Sequence, residues 1–279
     1  MNEFTIIKKE NGLKVIEFPA LQEIDGVRAL FTTKEGGASK GVYAESNFSH
    51  TRGDVKEDVD ENYRLAAECV RGTGTLTHFT LTYQTHSTNV RKVTKEDCGK
   101  GTVYERDYTD VDGLVTNEKG VILVTLHADC APLYFVDPVH EAIGLAHSGW
   151  RGTAGGIGGE VVRTMKEEYG TRSSDLVAVI GPAICETHYE VGRDVYDAFF
   201  KNYGFDCEYF RLFTPSPIVK DKYFFSLERA NRMVLERAGI RADRIHGSHL
   251  CTYCESDLFF SHRRDGEKRG NMAAMLMLE

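Results

Sequence analysis

No apolar run in this sequence is long enough to cross a bilayer: the strongly apolar stretch Val121–Leu126 falls far short of the roughly 20 residues a membrane helix needs. Basic residues are also short, 34 against 42 acidic ones, for a formal net charge of −8 at pH 7. That balance argues against a surface built for nucleic acid or anionic lipid. It leaves room for one local basic pocket holding a small phosphate-bearing substrate. The opening segment, MNEFTIIKKENGLKVIEF, is charged throughout and lacks the apolar stretch and small-residue cleavage site of an export signal. It reads as mature sequence of a cytoplasmic protein. Seven irregularly spaced cysteines do not make a complete disulfide framework, so reduced thiols are expected, at least one of them a metal ligand. Also missing are a low-complexity linker, the GxxxxGK[ST] phosphate loop and the glycine spacing of a dinucleotide-binding turn.

What is present is an ordinary globular balance, 41% hydrophobic and 27% charged, enough to bury a substantial core. Short strand-like runs alternate with helical ones. GVRALFTT reads as a strand followed by the flexible KEGGASKG; propensity from Val59 to Val70 predicts a helix stopped at Gly72. HFTLTYQTH reads as a strand ending at His86, VILVTLHADCAPLYFVDP as almost continuous strand interrupted around His127, and EAIGLAHSGWRG as a strand delivering His147 to a glycine-rich turn. GTAGGIGGEVVRTMKEEYG turns into a helix burying Val161, Val162 and Met165. SLERANRMVLERAGI is a helix with Ser226 as its cap and Gly239 as its stop, and DKYFF is strand or helix-entry material. With no linker to divide this series, the expectation is one α/β (α+β) unit over residues 1–279, with layered mixed β-sheets and flanking helices.

His86, Cys130 and His147 are too far apart in sequence for a compact zinc finger, but two imidazoles and a thiolate suit zinc with an open fourth position. On the residues alone, histidines satisfied by backbone groups and an inert core cysteine compete with that reading. So does His127, three positions before Cys130, as ligand, supporting bond or packing. Asp129 could orient a histidine, move a proton or hold a turn. In HSGWRG, Trp150 can form an aromatic wall and Arg151 can fork onto an anion, against a plain structural turn. CTYC at Cys251 and Cys254 is half a zinc knuckle that no second CxxC completes; ordinary packing is its default, with His246 or His249 as the nearest helpers. FFSHRRDG offers His262, Arg263 and Arg264 as a phosphate-facing pocket or a solvated basic turn.

Taken together, QTHSTNV, HADCAPLYFVDP, HSGWRG, GPAIC and CTYCESDLFFSHRRDG resemble a bacterial member of the multicopper polyphenol oxidoreductase, or laccase-domain, family, and the resemblance extends over most of the chain. It implies a layered α/β architecture and activities of purine nucleoside phosphorylase and adenosine deaminase. It also implies metal ligation by His86, Cys130 and His147. Where the family carries glycine after the first histidine, this chain has Ser87, a change expected to alter pocket breadth. The paired copper-ligand motifs of true multicopper oxidases are missing, so zinc is the expected cofactor and copper the alternative. Deamination would use water activated near adenine C6, with Asp129 the candidate acid since no HxE motif supplies one. Phosphorolysis would use Arg52, Arg151 or Arg263 for phosphate and Tyr83 or Trp150 against the base. The implied partners are purine nucleosides (adenosine, inosine, guanosine, methylthioadenosine) and inorganic phosphate. A copper-dependent polyphenol oxidoreductase and a noncatalytic purine-sensing module are the alternatives.

Overall fold

Met272–Leu278 is apolar and buried at all seven positions, and its period-two alternation divides those side chains between two cores. Met272, Ala274 and Leu276 face Phe31, Leu123 and Leu145; Ala273, Met275 and Met277 face Phe48, Tyr63 and Phe79. A strand apolar on both faces has to be covered on both. The structure, a computed structural model describing residues 3–279, places this strand inside a six-stranded sheet. The order across it is Thr5–Lys8, Lys14–Glu17, Val27–Thr32, Met272–Leu278, Ile122–His127 and Phe79–Leu81. Met275 sits opposite Leu30 on one side and Val124 on the other, both antiparallel.

A second six-stranded sheet runs Ile245–Gly247, Val177–Ile180, Ala131–Asp137, Ala142–Ser148, Gly113–Thr116 and Val90–Lys92. The two sheets stack through Phe31, Ala274 and Leu276 of the first and Tyr134, Val136, Ile143 and Leu145 of the second. The Tyr134 hydroxyl crosses between them to donate to the Leu30 carbonyl at 2.8 Å. Helix Lys56–Arg71 covers the outer face of the first sheet with Val59, Tyr63, Ala66 and Val70. Helices Ile157–Tyr169 and Leu227–Arg237 cover the second with Val161, Met165, Met233 and Leu235. The result is the layered mixed α/β stack expected from the sequence. A smaller sheet, Glu190–Gly192, Lys222–Phe225 and Phe213–Pro215, packs beside helix Arg193–Tyr203.

Local expectations were met in part. The Lys56–Arg71 helix ends at Gly72, whose φ of 76° suits glycine, and Val161, Val162 and Met165 are buried. Ser226 occupies the N-cap position of Leu227–Arg237, but its side chain makes no capping bond. The run through His127 is not one strand: Ile122–His127 belongs to the first sheet and Ala131–Asp137 to the second. Asp129, with φ of 94°, lies in the bend that carries the chain from one sheet to the other. The HFTLTYQTH segment stops being strand at Leu81. Beyond it the Gln84 amide takes the place of a ladder partner, accepting from Leu126 N at 2.7 Å and donating to Leu126 O at 2.8 Å. The main chain is thereby free to turn, and His86 adopts φ of 66°.

Candidate active site

Cys130 directly precedes Ala131–Asp137, and His147 lies near the end of Ala142–Ser148; register pairs Ala131 with Ser148 and Pro132 with His147. Antiparallel pairing therefore brings Cys130 and His147 to one sheet rim, and the turn after Thr85 adds His86. The ligating atoms of the three lie within 4.8 Å of one another, with Cys130 Sγ 3.9 Å from His86 Nε2 and the two imidazole centroids 4.9 Å apart.

One carboxylate organises this corner. Asp112, fully buried, accepts from His147 Nδ1 at 2.9 Å and from the backbone N–H of His86 at 3.1 Å through Oδ1. Its Oδ2 accepts from the N–H groups of Thr85 and Ser87, each at 2.9 Å, and from Ser87 Oγ at 3.0 Å. Ser87 thus adds a bond to this carboxylate. Burial alone would raise the Asp112 pKa, but the bond and charge of His147 and the Thr85 and Ser87 N–H groups outweigh it and hold the pKa at about 2. His147 must donate from Nδ1, which leaves Nε2 free to face the centre.

The donor set fits a zinc ion. A thiolate and two imidazoles match zinc's borderline softness and leave one tetrahedral vertex free. The S–N edge of such a tetrahedron is about 3.6 Å, close to the 3.9 Å between Cys130 and His86. The backbone also leaves space there: a Cβ on Gly149 would lie 2.8 Å from His86 Cδ2 and 2.9 Å from Cys130 Sγ. Cys130 and His147 also favour each other's charged forms. Against a burial penalty that would raise it, the charge and bond of His147 pull Cys130 down to about 6. Burial opposes protonation of His147 as well, yet the Cys130 thiolate and Asp112 push it up to about 9.

His127 is not a ligand. It is completely buried, and both ring nitrogens are engaged, Nε2 with Thr125 Oγ1 at 2.7 Å and Nδ1 with the Cys130 carbonyl at 3.0 Å. Burial, then the charge of His147, keeps it neutral. Asp129 is tied on both oxygens: Oδ1 accepts from Thr252 Oγ1 and Oδ2 from Arg263 N, each at 2.7 Å. Its carbonyl accepts from Ile184 N at 2.9 Å.

The remaining sequence candidates fall into two groups. Arg52 and Tyr83 line a cavity of about 420 Å³ with His50, Gln84, Arg106 and Asn271, and the Arg106 guanidinium sits 4.8 Å from the Tyr83 ring centroid. Arg151 stacks on Trp150 at 4.4 Å and Arg263 on Tyr189 at 5.3 Å. Burial holds the Tyr189 phenol protonated well above its usual range; the Cys130 thiolate and Asp129 add to that, while Arg263 and Arg151 oppose it.

Asp112, Tyr189 and Arg269 were not anticipated from the sequence. Arg269 is 5% exposed, its Nε has no partner among the described residues, and its Nη1 donates to neutral oxygens, Gly270 O at 3.2 Å and Asn271 Oδ1 at 2.9 Å. Burial and then Arg52 destabilise its charge, which Asp129, Glu267 and Cys130 support. A signal for it does exist: Arg269 lies just before an all-apolar strand whose first residue, Met272, pairs with His127, and so returns to the rim that carries Cys130.

The family pattern described as multi-copper polyphenol oxidoreductase laccase matches residues 28–279. The chain is 40% identical over 257 residues to the purine nucleoside phosphorylase YlmD of Geobacillus stearothermophilus, covering 90% of each. It is 33% identical over 267 residues to a purine nucleoside phosphorylase of Bacteroides thetaiotaomicron, covering 95% of this chain and 96% of the other. Among solved structures, the hypothetical protein YfiH of Bacillus licheniformis superposes with a TM-score of 0.90 at 35% identity, over 100% of both chains.

Proposed function

The chain belongs to the multi-copper polyphenol oxidoreductase laccase family, and from that membership we propose that residues 1–279 act as one purine nucleoside phosphorylase domain with zinc-dependent adenosine deaminase activity. The observation that carries the phosphate half is Arg269, a buried guanidinium bonded to neutral oxygens. Such a cation calls for an anion; Arg52, itself paired with Glu267 at 3.1 Å, adds positive charge that weighs on Arg269. The relatives' names point the same way.

In this reading inorganic phosphate lies against Arg269 and Arg52. One of its oxygens attacks ribose C1′ as the glycosidic bond to the purine breaks. The purine leaves with that electron pair and takes a proton, giving free base and ribose 1-phosphate. Tyr83, already stacked with Arg106, supplies a flat wall for the base; Trp150 and Arg151 border the ribose from the Cys130 side. His86, Cys130 and His147 would hold zinc, which supplies a Lewis acid that lowers the pKa of water. Asp112 fixes the His147 tautomer through the Nδ1 bond. Asp129, with both oxygens accepting bonds, fits a positioning role better than proton transfer, holding Arg263 and Thr252 at the rim. Adenosine, inosine, guanosine and methylthioadenosine form the substrate set we propose, and the cytoplasm the location. No helix among the described residues is long and apolar enough to cross a membrane.

Turnover of a nucleoside panel with and without inorganic phosphate tests this. Inosine should give hypoxanthine only with phosphate, and adenosine should give inosine without it. Phosphate-independent release of ribose would make the enzyme a nucleoside hydrolase. Oxygen-dependent oxidation of a phenol with no nucleoside product would favour the copper oxidoreductase, and purine binding without turnover the sensing module.

A further inference from the structure

Cys185, His188, Cys251 and Cys254 converge at a second place, with all four ligating atoms within 4.8 Å of one another. We propose that these residues form a second zinc site, closed and structural, which clips together the two loops that hold Asp129. It is separate from the His86, Cys130 and His147 centre and shares no residue with it.

The placement follows from topology. Val177–Ile180 and Ile245–Gly247 are parallel neighbours, with Ala178 opposite Ile245, so the loops that follow them leave the same edge side by side. A bridge between Ala183 and Cys251 continues the pairing into the loops. Each loop then contributes two donors three positions apart, Cys185 with His188 and Cys251 with Cys254. Read alone, CTYC lacks its mates; they come from the GPAICETH loop. Neither helper nearest in sequence, His246 or His249, joins the cluster, and His249 is engaged by Glu228 at 2.7 Å and Glu3 at 3.0 Å.

The geometry matches zinc. Bond lengths of about 2.3 Å to sulfur and 2.0–2.1 Å to nitrogen give tetrahedral edges of about 3.8 Å for S–S and 3.6 Å for S–N. Cys185 Sγ and Cys254 Sγ are 3.9 Å apart, and His188 Nδ1 lies 3.2 Å from the first and 3.4 Å from the second. The fourth ligand, Cys251 Sγ, accepts from the backbone N–H of Cys185 at 3.2 Å and of Cys254 at 3.4 Å, bonds that stabilise a thiolate. The His188 ring is held by stacking on Tyr253, centroids 4.1 Å apart and 14° from parallel. A disulfide is the poorer account: it would use two of the sulfurs, leave the third and the imidazole without a task, and need an oxidant. Three thiolates and an imidazole fill every vertex of a zinc tetrahedron, which marks a structural site. Cys254 is exposed, so the ion can enter from solvent.

The clip has a consequence at the rim. Thr252, between the two cysteine ligands, donates to Asp129 Oδ1, and Ile184, next to Cys185, donates to the Asp129 carbonyl. Arg264 braces the same loop through the carbonyls of Thr252 at 3.0 Å and Tyr253 at 2.8 Å.

Metal analysis of protein produced with zinc, joined to zinc-edge X-ray absorption, tests the site. Wild type should hold about two zinc ions per chain. Cys254→Ser should retain about one, in a shell dominated by nitrogen and oxygen; Cys130→Ala should also retain about one, in a shell of about three sulfurs at about 2.3 Å. His188→Cys keeps four ligands and should retain both ions, which separates lost ligation from lost folding. Wild type with a single zinc in a one-sulfur shell, Cys254→Ser with undiminished zinc, or a Cys185–Cys254 disulfide in the native protein would each overturn the proposal.

Discussion

Asp112 Oδ1 accepts from His147 Nδ1 at 2.9 Å, and the same oxygen accepts from the His86 backbone N–H at 3.1 Å. One buried atom thus sets the tautomer of one imidazole and the approach of the other. Asp112→Asn should lower zinc affinity about 10- to 100-fold, the usual cost of losing such a supporting carboxylate. Competition with a chromophoric chelator measures it, and unchanged affinity would remove Asp112 from the centre.

Gly149 borders the same donors. A methyl there meets His86 Cδ2 and Cys130 Sγ at under 3 Å, so Gly149→Ala should displace them and lose most bound zinc while the protein still folds. Circular dichroism beside metal analysis separates the two effects. A fully loaded variant would mean that the rim yields more readily than its packing suggests.

Arg269→Ala should cut kcat/KM for phosphate by about tenfold or more, the scale of one charge-assisted hydrogen bond, and leave zinc content at the wild-type level. Removal of a buried charge that lacks an ionic bond should also cost little stability. A variant with unchanged phosphate kinetics would assign Arg269 to structure alone.

Asp97 gives a pH-dependent test outside the site. Burial would raise its pKa from the ordinary 3.8, but the bonds from Lys100 at 2.8 Å, Thr94 N at 2.9 Å and Arg91 at 3.2 Å lower it overall. A depressed folded pKa contributes stability that is present above the unfolded value and lost as pH falls through the folded one. Asp97→Asn should therefore lower the melting temperature at neutral pH and flatten its fall below about pH 4. A parallel fall in both proteins would contradict the assignment.

How far the sequence could be read depended on whether a signal was local. The buried strands and the Lys56–Arg71 helix follow from alternation, propensity and a glycine stop, all contained within their own segments. Cys130 and His147 stood out as polar residues flanking apolar strands, one before Ala131–Asp137 and one near the end of Ala142–Ser148, but it was the family resemblance that joined them with His86 as ligands. Asp112 was not, since its role comes from pairing with residues far along the chain, and a lone aspartate before a strand resembles any turn residue. The division of VILVTLHADCAPLYFVDP between two sheets was hidden for a similar reason: apolar strands buried on both faces look alike whichever sheet they join. Cys185 and His188 had no visible tie to CTYC until parallel pairing placed their loops together.

The most direct test of the function is phosphorus NMR of the zinc-loaded protein with inosine and inorganic phosphate. The account predicts that the phosphate signal declines as ribose 1-phosphate appears, in step with hypoxanthine, and that Arg269→Ala slows both together. Hypoxanthine appearing with free ribose while the phosphate signal stays constant would contradict it.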